Sequence, residues 1–293
     1  ALVLFGQKAG PLSGPRRTAG PTVSREEKPA DLAPIETRKK QEVAEDLALF
    51  TSETNVVSVE VGVLDNKGRF IPGLPQGNFM VMEDGVPQKV LSFGVSQAPM
   101  TVCLLIEFNA RFQQYYTETW YQTIMASYGF VETLRKEDWV AVVAYDLRPE
   151  ILSDFTQDRR KTYQALQRLR TTGFAEANLF DALADMTTRM KDIEGRKSIV
   201  LISTGVDTFS RLTYGKARRI IQDNDVTIYA IGMMQLMRMR MDAYGYFDRP
   251  WGGAARLDFL QADNQMKTFA RETGGMAFFP KFYGEFPSIY QNI

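Results

Sequence analysis

The feature that most constrains this chain is a regular alternation, beginning after Pro99, of short apolar runs with longer amphipathic stretches. Residues 100–107, 139–145, 198–203 and 226–232 are almost continuously apolar and too short for helices, as strands buried on both faces should be. A shorter run lies near 276–279. Between them the apolar positions recur at helical spacing, over 114–135, 158–170, 179–193, 213–223 and 262–272. Strand and helix alternating at this length imply right-handed crossovers and a parallel sheet covered on both faces. The expected fold class is therefore α/β, a doubly wound and mostly parallel sheet. With 293 residues, 44% of them hydrophobic, one large core and an appendage are affordable.

The appendage precedes Pro99. Over 55–98 the period changes to two: Val57, Val59, Val61 and Val63 alternate, and Asp65-Asn66-Lys67-Gly68 supplies a turn. Residues 79–82 then run into Asp84-Gly85, a hairpin signal, and 86–93 return as a second strand. A small antiparallel β unit is expected, with Glu83 and Asp84 read as turn chemistry. Residues 35–54 form a helical linker, with Val43, Leu47 and Phe50 at helical spacing. Residues 1–34 are an arm, largely Gly, Pro and basic residues without pattern, and are expected to be disordered or wrapped along a partner. The arm opens Ala-Leu-Val-Leu-Phe-Gly, too short to span a bilayer. It reads either as the tail of a signal or anchor or as a short segment that docks on a partner.

Several function classes are disfavoured. The chain has no histidine, which removes the usual neutral-pH base and the commonest zinc ligand. Its single Cys103 lies mid-strand among apolar neighbours and reads as an inert buried thiol. Lys plus Arg equals Asp plus Glu, so no overall field draws the molecule to nucleic acid. Neither a phosphate-cradling glycine turn after residue 107 nor a Walker loop occurs. No cofactor, no nucleic acid and no small-molecule substrate are expected. Carboxylate-only chemistry by Glu107 with Asp207 lacks a nucleophile, and the chain is not expected to be an enzyme.

Segments of the large domain resemble those of the von Willebrand factor A (VWA) family. The run ending Glu107-Phe-Asn109-Ala-Arg111 stands where that family ends its first strand in Asp-x-Ser-x-Ser. Residues 178–183 (Asn-Leu-Phe-Asp-Ala-Leu) and 197–208 (Lys-Ser-Ile-Val-Leu-Ile-Ser-Thr-Gly-Val-Asp-Thr) are similar to its second and third loop regions. Residues 226–232 and 270–279 are similar to its last strands. The β unit, with its Glu-Asp-Gly-x-Pro-Gln ending, resembles an acidobacterial-type subfamily in which such a unit precedes the VWA domain. The resemblance covers roughly residues 55–293. Family members usually continue beyond the helix in which residues 292–293 fall.

The resemblance implies a Mg²⁺ or Mn²⁺ site, yet its positions here carry different residues. The first aspartate falls on Glu107, the two serines on Asn109 and Arg111, the second-loop threonine on Ala177 and the third-loop aspartate on Thr204. Arg111 brings a fixed charge and no lone pair. The expectation is a degenerate metal site, with Arg111 supplying the positive charge and pairing with Glu107 or another local carboxylate. The competing possibility is a rebuilt ligand set of Glu107, Asn109, Thr204 and Asp207, all carrying side-chain oxygens. Asp181 is kept, as an organiser of helix and loop.

Residues 233–264 are longer than the resemblance leads one to expect, and rich in Met, Arg, Tyr and Trp, residues suited to partner contacts. They should emerge beside Glu107, either as a Met-rich core patch followed by a glycine loop or as a partner-binding loop. The candidate partner-binding residues are Met237, Arg238, Met239, Arg240, Met241, Tyr244, Tyr246, Phe247 and Trp251, with arginines alternating against methionines. Phe112, Tyr115, Tyr116, Trp120 and Tyr121 are read as helix packing. Together these features suggest a non-catalytic protein–protein interaction module, a scaffold or accessory subunit of a larger complex, either free of the membrane or associated with it. The alternative is a metal-dependent adhesion domain with a rebuilt ligand set. The family implies an extracytoplasmic, periplasmic setting.

Overall fold

The structure, a computed structural model, describes residues 4–5, 59, 61–63, 65, 71–94, 99–108, 117–169, 176–249 and 252–293. The helical linker over 35–54 and all of the arm but Leu4–Phe5 lie outside the described residues.

The large domain is built on β4 (Met100–Glu107), whose last six residues are all buried. It pairs in parallel with β5 (Trp139–Tyr145) on one side and β7 (Arg196–Ser203) on the other. β8 (Thr227–Gly232) and the two-residue β9 (Ala277–Phe278) extend the sheet in parallel, and β6 (Pro149–Thr156) closes the other edge antiparallel. The order is β6-β5-β4-β7-β8-β9. Chain order therefore reverses between β4 and β7, and the crevice at their carboxyl ends is where such sheets place ligands.

Strand periodicity sends alternate side chains into two cores. Cys103 and Leu105 join Leu179, Leu183, Ile199, Leu201, Ile228 and Phe269 on one face. Val102, Leu104 and Ile106 join Phe130, Leu166, Val200, Ile202 and Ile289 on the other. The first face is covered by α3 (Leu179–Arg189), α4 (Tyr214–Gln222) and α6 (Gly252–Glu272), the second by α1 (Thr117–Thr133), α2 (Arg159–Gln167) and α7 (Phe286–Tyr290). Asp158 and Thr213 start α2 and α4 by accepting from the backbone N–H of Arg160 and Lys216. The doubly wound, mostly parallel class expected from the alternation is the one observed.

Five local expectations are corrected. β6 was not foreseen, because Pro-Glu-Ile-Leu-Ser-Asp-Phe-Thr is too polar to read as a strand. An edge strand needs only one ladder, tolerates polar side chains and accepts Pro at its first position. α6 starts ten residues before the helix expected at 262, and α5 (Gln235–Ala243) occupies what was read as loop. In the β unit, the described residues of the first valine alternation, 59 and 61–63, carry no strand, and Val63 only accepts a bond from Ile71 N–H at 2.8 Å. The return strand expected over 86–93 stops at Gln88.

What does form there is a hairpin of β2 (Val81–Glu83) and β3 (Val86–Gln88). Asp84 and Gly85 turn it with φ of 49° and 81°, the positive pair of a two-residue type I′ turn. The sheet has a third strand, β1 (Leu4–Phe5), which pairs with β2 in parallel, so the unit is not purely antiparallel.

Candidate functional site at the carboxyl end of β4 and β7

β4 ends in Glu107, whose side chain is buried, with 1% of its surface exposed. β7 ends beside it in Ser203, followed by Thr204. Glutamate is one methylene longer than aspartate, and the extra length carries its carboxylate across to this neighbouring strand end. Oε2 accepts from Ser203 Oγ at 2.7 Å, from Thr204 N–H at 2.7 Å and from Thr204 Oγ1 at 2.9 Å. Oε1 accepts from Thr204 Oγ1 at 3.1 Å.

The hydroxyls in this cluster are themselves engaged. Ser203 Oγ accepts from Tyr145 OH at 2.9 Å and from Gly205 N–H at 2.8 Å while donating to Glu107, which uses both of its lone pairs. Thr204 Oγ1 accepts from Val206 N–H at 3.2 Å. Burial raises the Glu107 carboxyl above its ordinary range, and the hydrogen bonds from Ser203, Thr204 and Tyr145 pull partly against that rise. Tyr145 is driven well upward, first by burial and then by the neighbouring Glu107 charge.

Gly205 makes the turn after β7 possible. Its φ of +79° suits glycine, and a Cβ there would lie 2.4 Å from Met266 Cε. Beyond it Asp207 turns away from β4 toward α3: Oδ1 accepts from Phe180 N–H at 3.2 Å and from Ser210 Oγ at 2.5 Å. Asp181, in the first turn of α3, accepts from the N–H groups of Arg211 and Leu212, both at 2.9 Å. This is the organising role expected of Asp181, welding the loop after β7 to α3. Ala177 sits buried where the resemblance places a threonine hydroxyl, and the Thr208 hydroxyl meets the Ala177 backbone N–H instead, at 2.8 Å.

The structure therefore brings Glu107 and Thr204 together and commits Asp207 to α3 and Ser210. Asn109 and Arg111 lie outside the described residues, and with them the proposed pairing of Arg111. Among the described residues no group of three or more His, Cys, Asp or Glu could hold a metal ion. Sequence reasoning missed Tyr145 and Ser203. The available signal was a polar residue closing each of two otherwise apolar strands.

The segment after β8 emerges at the same end: Met233 N–H donates to Ser203 O at 2.9 Å. It is not a loop. Met233 and Met234 are buried, α5 follows, Tyr246–Asp248 make a 3₁₀ turn, and α6 leads away. The alternation of arginine with methionine would put the two residue types on two sides only in extended chain; in a helix residues two apart lie on nearly opposite faces, so neither type is gathered on one side. Arg238 instead reaches α6, pairing with Asp263 and donating to Phe259 O and Gln235 Oε1. This pair is largely buried, with 15% and 10% of the side chains exposed, and pins α5 to α6. Met239 is exposed, Met241 half-buried, and Tyr244 82% exposed. The Arg249 guanidinium lies 5.6 Å over the Tyr246 ring. Leu257 and Leu260 are exposed one turn apart on the first half of α6, adding two apolar residues that were not foreseen. The side chains of Met237, Arg240, Phe247 and Trp251 lie outside the described residues.

Residues 112–206 match the family model of the von Willebrand factor type A domain. No curated protein matches the chain. Among solved structures, the chain is similar to the vWF domain of the type V pili tip protein Mfa5 from Porphyromonas gingivalis, at 15% identity and a TM-score of 0.48, covering 67% of this chain and 95% of that one. A structure of three N-terminal domains of the same protein is 13% identical with a TM-score of 0.47, and the likeness covers 64% of this chain and 48% of that one. The conserved hypothetical protein BatB from Bacteroides thetaiotaomicron is 11% identical with a TM-score of 0.43, covering 67% and 97%. The chain thus spans about half the length of one of these structures. No helix among the described residues is long and apolar enough to cross a membrane.

Proposed function

We propose that this chain is a non-catalytic, VWA-type protein-interaction module, a scaffold or accessory subunit of a larger extracytoplasmic complex, whose strand-end centre works without a metal ion. The observation that carries the reading is the closed hydrogen-bond set at Glu107. A hard cation wants about six oxygen ligands at 2.0–2.1 Å, each with a lone pair to give. Here Glu107 Oε2 faces three donors, both Ser203 lone pairs are taken, and Ala177 offers a methyl group. These residues do not fit the family's ion.

Interaction then falls to side chains that the fold leaves uncovered at the same end. Met239, Tyr244, Leu257 and Leu260 project from α5, α6 and the turn between them. Exposed apolar and aromatic side chains gathered in one region mark contact surfaces.

The test is thermal unfolding of the chain with millimolar Mg²⁺ or Mn²⁺ and with chelator, paired with capture of binding proteins under both conditions. The expected result is an unchanged midpoint and capture that survives chelation. A cation present at 100 times its Kd would stabilise the domain by about 2.7 kcal/mol. A midpoint that rises with Mn²⁺ and falls back with chelator would refute the reading.

A further inference from the structure

The small sheet has two outer edges of opposite character. In a two-residue type I′ hairpin the pairs Glu83–Val86 and Val81–Gln88 exchange hydrogen bonds. Met82 and Pro87 face each other at the intervening position, with their backbone groups directed outward. At the β3 edge the outward residue is Pro87, which has no N–H, so that edge is blocked at its centre. At the β2 edge Met82 presents both N–H and C=O, and β1 is seated on it with Leu4 opposite Val81 and Phe5 opposite Met82.

The seated strand is held lightly. Among the described residues its pairing is two residues long, Leu4 with Val81 and Phe5 with Met82. The surrounding unit is also uncovered: no residue described between 71 and 94 is buried, and Met80, Val86, Leu91 and Phe93 are exposed. A sheet this small gains from a longer strand that pairs along the edge and shields these side chains.

We propose that the outer edge of β2 is an acceptor for an extended aliphatic–aromatic strand of a partner protein, and that β1 is the built-in competitor for it. Leu4–Phe5 states the chemistry of the occupant: an apolar strand added in parallel, recognised mainly through its backbone. The proposal stands on the small sheet and does not rest on the reading of Glu107.

The experiment measures fluorescence anisotropy of a labelled Ala-Leu-Val-Leu-Phe-Gly-Gln peptide against the full chain and against Leu4→Asp/Phe5→Asp, in which the competitor is disabled. The doubly substituted chain should bind the peptide at least tenfold more tightly than the unaltered one. Adding Met82→Pro, which gives β2 the same block as β3, should abolish binding, whereas Met82→Ala, which keeps the N–H, should preserve it and show that side-chain loss is not the cause. Equal binding by unaltered and Leu4→Asp/Phe5→Asp chains, binding that survives Met82→Pro, or no binding to the doubly substituted chain at millimolar peptide would each overturn the proposal.

Discussion

Replacing Glu107 by Asp restores the residue that the VWA resemblance would place there, and on the geometry above it should harm this protein. The substitution removes one carbon–carbon bond of reach, about 1.5 Å. Ser203 Oγ and Thr204 N–H, both 2.7 Å from Oε2, would then stand up to about 4 Å from a carboxylate on an unmoved backbone, beyond hydrogen-bond reach. A buried donor left unsatisfied costs about 1–3 kcal/mol. With Ser203, Thr204 N–H and the Thr204 hydroxyl affected, and some relaxation of the strand ends, the expected loss is about 3 kcal/mol. For a domain of this size that is a fall in Tm of about 6–12 °C. Glu107→Gln keeps the reach and one acceptor oxygen and should cost about 1–2 kcal/mol. Differential scanning calorimetry of the three chains, with chelator present, reads the order directly. If Glu107→Asp melts with or above the unaltered chain, or above Glu107→Gln, then Glu107 is not selected for its reach and the closed-network argument fails.

Because burial holds the folded Glu107 carboxyl above its ordinary value of 4.5, its contribution is complete below that value and is lost as pH rises through the folded value. Stability relative to Glu107→Gln should therefore decline with rising pH, by at most about 1.4 kcal/mol per unit, and urea titrations at successive pH values should find no such decline if Glu107 is ionised throughout. Arg238→Ala should cost about 3–5 kcal/mol because it strands the largely buried Asp263, while Arg238→Ala/Asp263→Ala should be less damaging than that single change; a double substitution that costs the sum of the two single ones would mean the pair is not coupled. Gly205→Ala combines a positive φ with a 2.4 Å approach to Met266 Cε and should destabilise by about 1–3 kcal/mol, with Met266→Ala restoring part of the loss if the contact is the cause.

Some of this was legible without coordinates because it depends on local pattern. The buried strands announce themselves through unbroken apolar runs, and β4 was read at its observed bounds, 100–107. The Asp84-Gly85 hairpin was likewise visible in residue type and position, and the resemblance pointed to Asp181 as an organiser of helix and loop, though not to its partners Arg211 and Leu212. β6 was not, since its polar residues make sense only at a sheet edge. Nor was the helical form of residues 235–243 and 252–261, where methionines and glycines resemble a loop and helicity is secured by Arg238 reaching Asp263, 25 positions away.

The sequence alone determined the fold class, because period and run length of apolar residues dictate which faces must be buried. It also determined which residues, Glu107, Asn109, Arg111, Ala177 and Thr204, stand where the VWA resemblance would place a metal site, since identity at a position needs no structure. Only the tertiary structure decided what those residues do instead. Glu107, Tyr145, Ser203 and Thr204 are far apart along the chain, and they meet because three parallel strands end side by side at the point where the sheet reverses direction. A hydrogen bond depends on tenths of an ångström across neighbouring strands, and no periodicity within a single strand encodes that distance.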